Sequence, residues 1–109
     1  MKTIRMQVSA TVTVIAVVFL LALSAQAQNA SETLYKTKCA TCHGADGTGS
    51  AIGTKMGAHD FTTAVVQGMS DTELTDITTN GKNKMPAYGK SLKADDIKGL
   101  VAYIRTLKK

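Results

Sequence analysis

Cys39-Ala40-Thr41-Cys42-His43 is the stretch that decides the fold of this 109-residue chain. Its two thiols are three positions apart, so on a helix they lie on neighbouring turns of one face, and an imidazole follows them directly. Cys-x-x-Cys-His is the attachment signature of a c-type haem, whose two vinyl groups bond the two sulfurs. The spacing therefore predicts covalent haem on Cys39 and Cys42, with His43 as the first axial ligand of its iron.

Three other kinds of site use paired cysteines. A thioredoxin-like redox site needs a strand-helix-strand context, and no strand pattern surrounds residue 39. A zinc site needs four ligands, which here would require His59 with Asp46 or Asp60 in an unusual arrangement. A structural disulfide explains both thiols but leaves His43 unexplained. Haem attachment accounts for all three residues of the motif.

The N-terminus has the features of an export signal. Lys2 and Arg5 supply positive charge, Val12 to Leu23 form an apolar core, and Ala25-Gln26-Ala27 is a small-residue cleavage site. These features predict a cleaved signal peptide over residues 1–27 and leave one domain with the haem motif over residues 28–109, without stable membrane insertion after cleavage. The apolar core is shorter than the roughly 20 residues of a membrane span, so an uncleaved anchor is the alternative. Haem of this type is attached outside the cytoplasmic membrane, which makes the periplasm the predicted location.

The predicted mature segment is small and weakly charged. Its length allows a single domain. Domains of this size rarely bury a large enough hydrophobic core on their own, so haem is expected to hold the fold together. Without Lys2 and Arg5, 11 of the 13 basic residues remain against 8 acidic ones, a net charge of +3. This balance argues against nucleic-acid binding. Lysines are nevertheless grouped around Met85 and just before Cys39, and they are either only solubilising or a candidate docking rim for an acidic redox partner. They are Lys82, Lys84, Lys90 and Lys93, and Lys36 and Lys38.

Helical periodicity and capping signals predict an all-α domain. A first helix is expected to open at Ser31 and to end at the haem motif. Ser70-Asp71-Thr72-Glu73 is a capping box that starts a helix ending at Asn80-Gly81. Apolar residues at helical spacing predict a last helix from about Ala94 to Leu107.

The stretch from Gly44 to Gly57 is rich in glycine and is expected to hold no regular structure. No strand precedes it and no Gly-Lys-Ser/Thr closes it, so a phosphate-binding loop is not predicted. It is expected to wrap the proximal side of the haem, with Ile52, Met56 and Phe61 packing inwards.

The sixth iron position decides between an electron carrier and a ligand-binding haem protein. Met85 is the preferred ligand, because Pro86 favours an extended conformation there, from which a thioether can reach the iron. Met56 is more simply a haem-packing residue, since methionine fills irregular gaps. Met56, Met69, His59 and an open position remain the alternatives.

The chain resembles the class I cytochromes c, in particular the small soluble bacterial forms with a single haem. The resemblance covers residues 31–109 and rests on three stretches, which are 39–44, 80–88 and 100–104. It implies a small cytochrome c fold of three to four helices around one covalent haem, with Met56 and Tyr88 packing against it.

Two departures from the family pattern bear on the structure. In that family the terminal helices cross where a glycine meets an aromatic residue. Tyr35 and Tyr103 match the aromatic positions, but Ser31 stands at the glycine position, which predicts a slightly wider crossing. The family often has a loop proline whose carbonyl accepts the ring proton of the haem histidine. This chain has no such proline, so the acceptor for His43 stays open.

These features predict a periplasmic one-electron carrier and not an enzyme. Its iron would cycle between Fe(II) and Fe(III) with His43 and Met85 as axial ligands. The expected partners are donors and acceptors of a respiratory chain, such as a quinol–cytochrome c reductase, an oxidase or a dehydrogenase, and the protein is expected to be a monomer. A haem module fixed to a dehydrogenase or oxidase, and a ligand-binding haem protein with an open sixth position, are the alternatives.

Overall fold

The computed structural model describes residues 2–109, with side chains from residue 10 onward, so the side chains of Lys2 and Arg5 in the predicted export signal lie outside it. The described residues form six helices: α1 (Lys2–Lys38), α2 (Ala40–His43), α3 (Ala51–Lys55), α4 (Ala64–Gln67), α5 (Asp71–Asn80) and α6 (Ala94–Thr106). The only extended pairing among residues 2–109 is one antiparallel bridge between Lys82 and Met85. The all-α prediction is confirmed, and the strands that a thioredoxin-like site requires are absent from this part of the chain.

Helix α1 runs without a break from the apolar N-terminal stretch to the haem motif. The predicted start at Ser31 is therefore wrong. Residues 2–38 contain neither glycine nor proline, so nothing in the sequence interrupts the helix before Ser31. The Ser31 hydroxyl donates to the Ala27 carbonyl at 3.1 Å, as a residue inside a helix does.

The N-terminal part of α1 is also apolar enough to cross a membrane. Ala10–Lys38 includes a window with mean hydropathy 2.2, of which none is buried. A signal sequence near the N-terminus has the same length and composition, so these properties fit either an anchor or an export signal.

The core lies where the last turns of α1 cross α6. Tyr35 is completely buried, and its ring lies 4.9 Å from that of Tyr103 between centroids. A Cβ at Gly99 would overlap the Ser31 hydroxyl. The small Ser31 side chain thus packs against Gly99 on α6. The sequence analysis did not identify this glycine as part of the helix crossing.

The two helices with the strongest sequence signals are confirmed. At the start of α5 the Ser70 hydroxyl accepts the Glu73 N–H at 3.1 Å, and the Glu73 carboxylate accepts the Ser70 N–H at 2.9 Å. Both halves of the predicted capping box are therefore formed. Helix α6 begins at Ala94 as predicted and ends one residue before Leu107.

The prediction that the glycine-rich stretch holds no regular structure is wrong for residues 51–55, which form α3. The Ser50 hydroxyl caps this helix by accepting the Gly53 N–H at 2.9 Å. Ile52 is 64% exposed, so its predicted inward packing is also wrong. Helix α3 turns the buried Gly53 inwards instead, while Phe61, at 8% exposure, packs in the core as expected.

Candidate haem site

One cavity of about 350 Å³ brings the predicted site residues together. Its wall contains every residue assigned to the site from sequence, which are Cys39, Cys42, His43, Met56, Met85 and Tyr88. Members of the hydrophobic core also line this cavity, namely Phe61, Val66, Leu74, Leu100 and Ile104. The volume lies within the range of roughly 300–1,000 Å³ that is typical of cofactor pockets. An apolar cavity that carries two thiols and an imidazole fits a covalently attached porphyrin.

The two cysteines enter the cavity from the junction of α1 and α2. Backbone bonds from Cys39 N–H to the Tyr35 carbonyl at 2.8 Å, and from His43 N–H to the Cys39 carbonyl at 2.9 Å, continue the helical path through the motif. Both cysteines are free thiols, so the disulfide alternative is not formed here. Before haem is attached, burial raises the pKa of the Cys39 thiol to about 11, so the thiol is protonated at neutral pH.

The glycine-rich stretch supports the backbone of the motif. Carbonyl groups at a helix C-terminus have no partner within the helix. Here the Ser50 hydroxyl donates to the Thr41 carbonyl at 2.6 Å, and Gly49 N–H donates to the His43 carbonyl at 2.7 Å. Gly53 lies so close to the Cys42 carbonyl that a Cβ would overlap it.

The His43 imidazole is oriented by a backbone carbonyl. Its Nδ1 lies 3.3 Å from the carbonyl oxygen of His59. A carbonyl can only accept, so Nδ1 carries the ring proton and Nε2 is left with a free lone pair for a metal. The acceptor that the sequence left open is thus His59. Burial, the larger effect, lowers the pKa of His43, and the hydrogen bond to the His59 carbonyl raises it.

Met85 reaches the cavity from a tight hairpin after α5. Lys82 N–H donates to the Met85 carbonyl at 3.2 Å, and Met85 N–H donates to the Lys82 carbonyl at 2.9 Å. Asn83 makes the turn between them with φ of 52°, a left-handed conformation that asparagine tolerates well. The half-buried Met85 and the following Pro86 both line the cavity.

The alternative sixth ligands line the same cavity. Met56 directly follows α3 and is 40% exposed, His59 lies three residues later, and Met69 packs against the core cluster. Among the described residues, no group of three or more His, Cys, Asp or Glu side chains is arranged to hold a metal ion. The zinc alternative therefore has no support in residues 2–109.

Two tyrosines and a glutamine brace the site without having been assigned this role from sequence. The Tyr35 hydroxyl donates to the Gly44 carbonyl at 2.7 Å, and the Tyr88 hydroxyl donates to the Lys38 carbonyl at 3.1 Å. Gln67 donates to the Phe61 carbonyl at 2.7 Å. Of these, Gln67 carried a signal in the sequence, because it is a polar residue after the apolar run 64–66.

A helical domain that closes around a cavity bearing Cys-x-x-Cys-His defines a small c-type cytochrome. A family model described as "Cytochrome C oxidase, cbb3-type, subunit III" matches residues 26–104. The chain belongs to this family.

Two curated relatives are oxidase subunits. The cbb3-type cytochrome c oxidase subunit CcoP of Azospirillum brasilense is 36% identical over 86 residues, which cover 76% of this chain and 29% of that protein. The cbb3-type cytochrome c oxidase subunit FixP of Azorhizobium caulinodans is 33% identical over 76 residues, covering 68% of this chain and 25% of that protein. The chain thus spans less than a third of the length of the relatives it matches.

Two solved structures align with this chain over nearly their whole length. The KustC0563 c-type cytochrome has a TM-score of 0.70 and 32% identity, and the alignment covers 72% of this chain and 98% of that one. A variant of the same cytochrome, with a single Tyr-to-Phe substitution, has a TM-score of 0.67 and 30% identity. Together with the family match, these similarities make the chain a haem-bearing electron-transfer module with a covalent c-type haem and its iron.

Proposed function

We propose that this chain is a periplasmic one-electron carrier, without an enzymatic reaction of its own, whose haem iron is ligated by His43 and Met85. The observation that carries the proposal is the shared cavity, which is lined by Cys39, Cys42 and His43 of the haem motif and by Met85 from a distant hairpin. When bound, the haem supplies a reversible Fe(II)/Fe(III) couple.

Each of the four residues has a distinct part in holding the haem. The sulfurs of Cys39 and Cys42 attach the porphyrin covalently. His43 offers Nε2, while its bond to the His59 carbonyl keeps the ring in one tautomer and one orientation. Met85 offers a soft thioether, and His/Met ligation raises the reduction potential of a haem.

The position of the other candidates along the chain supports Met85 as the second ligand. Met56 and His59 flank a turn that is bound to the backbone of the motif, since Ala58 N–H donates to the Gly53 carbonyl at 2.8 Å and Gly53 packs on Cys42. The same stretch supplies the acceptor for His43, so it belongs to the histidine side of the site. Met85 comes from a separate hairpin and is free of that role.

Replacement of Met85 by alanine tests the ligand assignment. Met85→Ala is expected to keep the covalent haem, to lose the weak near-infrared sulfur-to-iron band of the oxidised protein, and to bind carbon monoxide when reduced. Met56→Ala removes a second thioether from the same cavity and is the matched control, which should keep the band. Optical spectra of both variants in both redox states give the answer.

Two results would contradict this assignment. Loss of the band in Met56→Ala but not in Met85→Ala would make Met56 the ligand. Carbon monoxide binding by the unaltered reduced protein would indicate an open sixth position and a ligand-binding haem protein.

We further propose that the partners are respiratory redox proteins, because two relatives are named as oxidase subunits. Lys38, Lys82 and Lys84 line the cavity, and Lys82 and Lys84 are exposed. Positive charge at this edge favours an acidic partner surface and speeds its approach. Both a free monomeric shuttle and a module fixed to an oxidase would use such an edge.

We also propose that the chain is exported and cleaved after Ala27. All of the residues from 10 to 27 are exposed, and the Ser31 side chain, which follows the cleavage site, lies against Gly99 of α6. Cleavage would therefore leave this contact between α1 and α6 in place.

A further inference from the structure

We propose that Gln67, the last residue of α4, is a positioning residue for the His43 imidazole. The inference rests on the proposed role of His43 as an iron ligand. Gln67 is not part of the cavity wall, so any effect that it has on the haem must pass through other residues.

The side-chain amide of Gln67 joins two distant parts of the backbone. Its nitrogen donates to the Phe61 carbonyl at 2.7 Å and to the Ile104 carbonyl at 2.9 Å. Because both partners can only accept, the amide must present its NH₂ group to them, and its orientation follows. One half-buried side chain thereby ties the loop before α4 to the last turns of α6.

That loop contacts the imidazole of His43 at two points. The His59 carbonyl accepts the Nδ1 proton at 3.3 Å. Two residues later, the Phe61 ring stacks on the imidazole with 4.1 Å between centroids and 18° between planes. The carbonyl that Gln67 holds therefore belongs to the residue whose ring fixes one face of His43.

Arg105 secures the other end of this connection. Its guanidinium donates to the Gln67 carbonyl at 3.0 Å and to the Asp71 carboxylate at 2.8 Å. The backbone and the side chain of Gln67 are thus both bonded to α6. The result is a continuous path from α6 through Gln67 and Phe61 to His43.

Loss of the Gln67 bonds should change the electronic character of the ligand. A group that accepts a hydrogen bond from the ring nitrogen not bound to the metal makes a metal-bound imidazole a stronger electron donor. If the 59–61 loop is released, the Nδ1–H bond to the His59 carbonyl weakens and His43 becomes a weaker donor. A weaker donor favours Fe(II), so the reduction potential rises.

The test compares holoprotein variants that carry covalent haem. Gln67→Met keeps the length of the side chain and removes both donors. NMR on protein with ¹⁵N-labelled histidine measures how fast the His43 Nδ1 proton exchanges with solvent. In Gln67→Met this exchange should become about tenfold faster, because a loss of about 1.4 kcal/mol of interaction corresponds to a tenfold change. The reduction potential should rise, and the g-values of the oxidised protein in electron paramagnetic resonance should shift.

Ser70→Ala is the matched control. It removes the cap of α5, a loss of stability comparable to that of Gln67→Met, and the Ser70 side chain bonds only to Glu73, away from the 59–61 loop. Its Nδ1 exchange, potential and g-values should equal those of the unaltered protein, because general destabilisation does not act on His43.

A second variant keeps the proposal testable if Gln67→Met does not accumulate with haem. Gln67→Asn retains the amide but is one methylene too short to reach both carbonyls, and its exchange rate should lie between those of the unaltered protein and Gln67→Met. Values equal to those of Ser70→Ala in the available Gln67 variants would overturn the positioning role alone. Absence of paramagnetically shifted His43 signals from the oxidised unaltered protein would overturn the ligand assignment, and this inference with it.

Discussion

Two glycines have close neighbours of different kinds, and the difference decides what a methyl group would do at each. At Gly53 a Cβ would overlap the carbonyl group of Cys42, which is backbone within the haem motif. At Gly99 it would overlap only the hydroxyl of Ser31. A hydroxyl can rotate away, whereas the carbonyl of Cys42 can move only with the haem motif.

We therefore expect Gly53→Ala and Gly99→Ala to differ strongly. Gly53→Ala should lower the free energy of unfolding of the holoprotein by more than about 2 kcal/mol, as overpacking does, and reduce the yield of covalent haem. Gly99→Ala should stay within about 1 kcal/mol of the unaltered protein, because the better helix propensity of alanine offsets the displaced Ser31 hydroxyl. Urea unfolding and the ratio of haem to protein absorbance measure both effects, and equal costs would show that α3 does not abut the motif.

At the scale of the elements, the helices with strong local sequence signals were predicted correctly, whereas two short helices with weak signals were not predicted. Helices α5 and α6 have a capping box and a long apolar repeat, respectively. Helices α3 and α4 have only five and four residues, too short for a repeat to be visible in the sequence. They depend on the caps Ser50 and Thr63 and on packing against the haem motif and the core, which a local pattern does not reveal.

Helix α1 carries the prediction about export. Protein purified from a periplasmic extract should begin at Gln28, because Ala25-Gln26-Ala27 provides the small residues that cleavage requires. Intact mass and N-terminal sequencing measure this directly. An Ala27→Lys variant should keep its N-terminus and remain in the membrane fraction. An intact N-terminus on the unaltered protein in that fraction would instead make α1 a permanent anchor.

At the scale of the whole molecule, the haem and the core form one unit. Five members of the core cluster also line the cavity, which are Phe61, Val66, Leu74, Leu100 and Ile104. A haem held in this cavity would contact these side chains and act as the staple that a domain of this size needs. Under the proposed function, the surface around the cavity is the part of the molecule that would face a redox partner.

The lysines at this surface lead to a prediction about association. Lys82 and Lys84 line the cavity, and Lys90 is grouped with them in the sequence. Changing all three together to Glu should slow stopped-flow association with an acidic redox partner at low ionic strength. The matched control changes Lys55, Lys98 and Lys108, three exposed lysines that do not line the cavity, by the same total charge. The difference between the two variants should fade above roughly 0.1–0.2 M salt, where the screening length is about 10 Å or less. Equal rates for both at low salt would mean that docking does not use this edge.

By itself, the sequence determined the cofactor and the class of fold. Cys39, Cys42 and His43 are adjacent along the chain, so their chemistry can be read without knowing the fold. The capping box at Ser70 and the apolar repeat of α6 are equally local. Each of these features depends on residue type at short spacing, which is the information that a sequence displays directly.

The tertiary structure alone decided how the haem motif is held. The acceptor of the His43 ring proton is a backbone carbonyl, and a carbonyl is present at every residue, so no residue type marks His59 for this role. The contacts of Gly53 with Cys42, of Gly99 with Ser31, and of Gln67 with the Ile104 carbonyl join residues 11 to 68 positions apart. Such contacts arise from the crossing of whole helices and loops, and the physical reason that the sequence did not reveal them is that packing between distant segments leaves no local pattern.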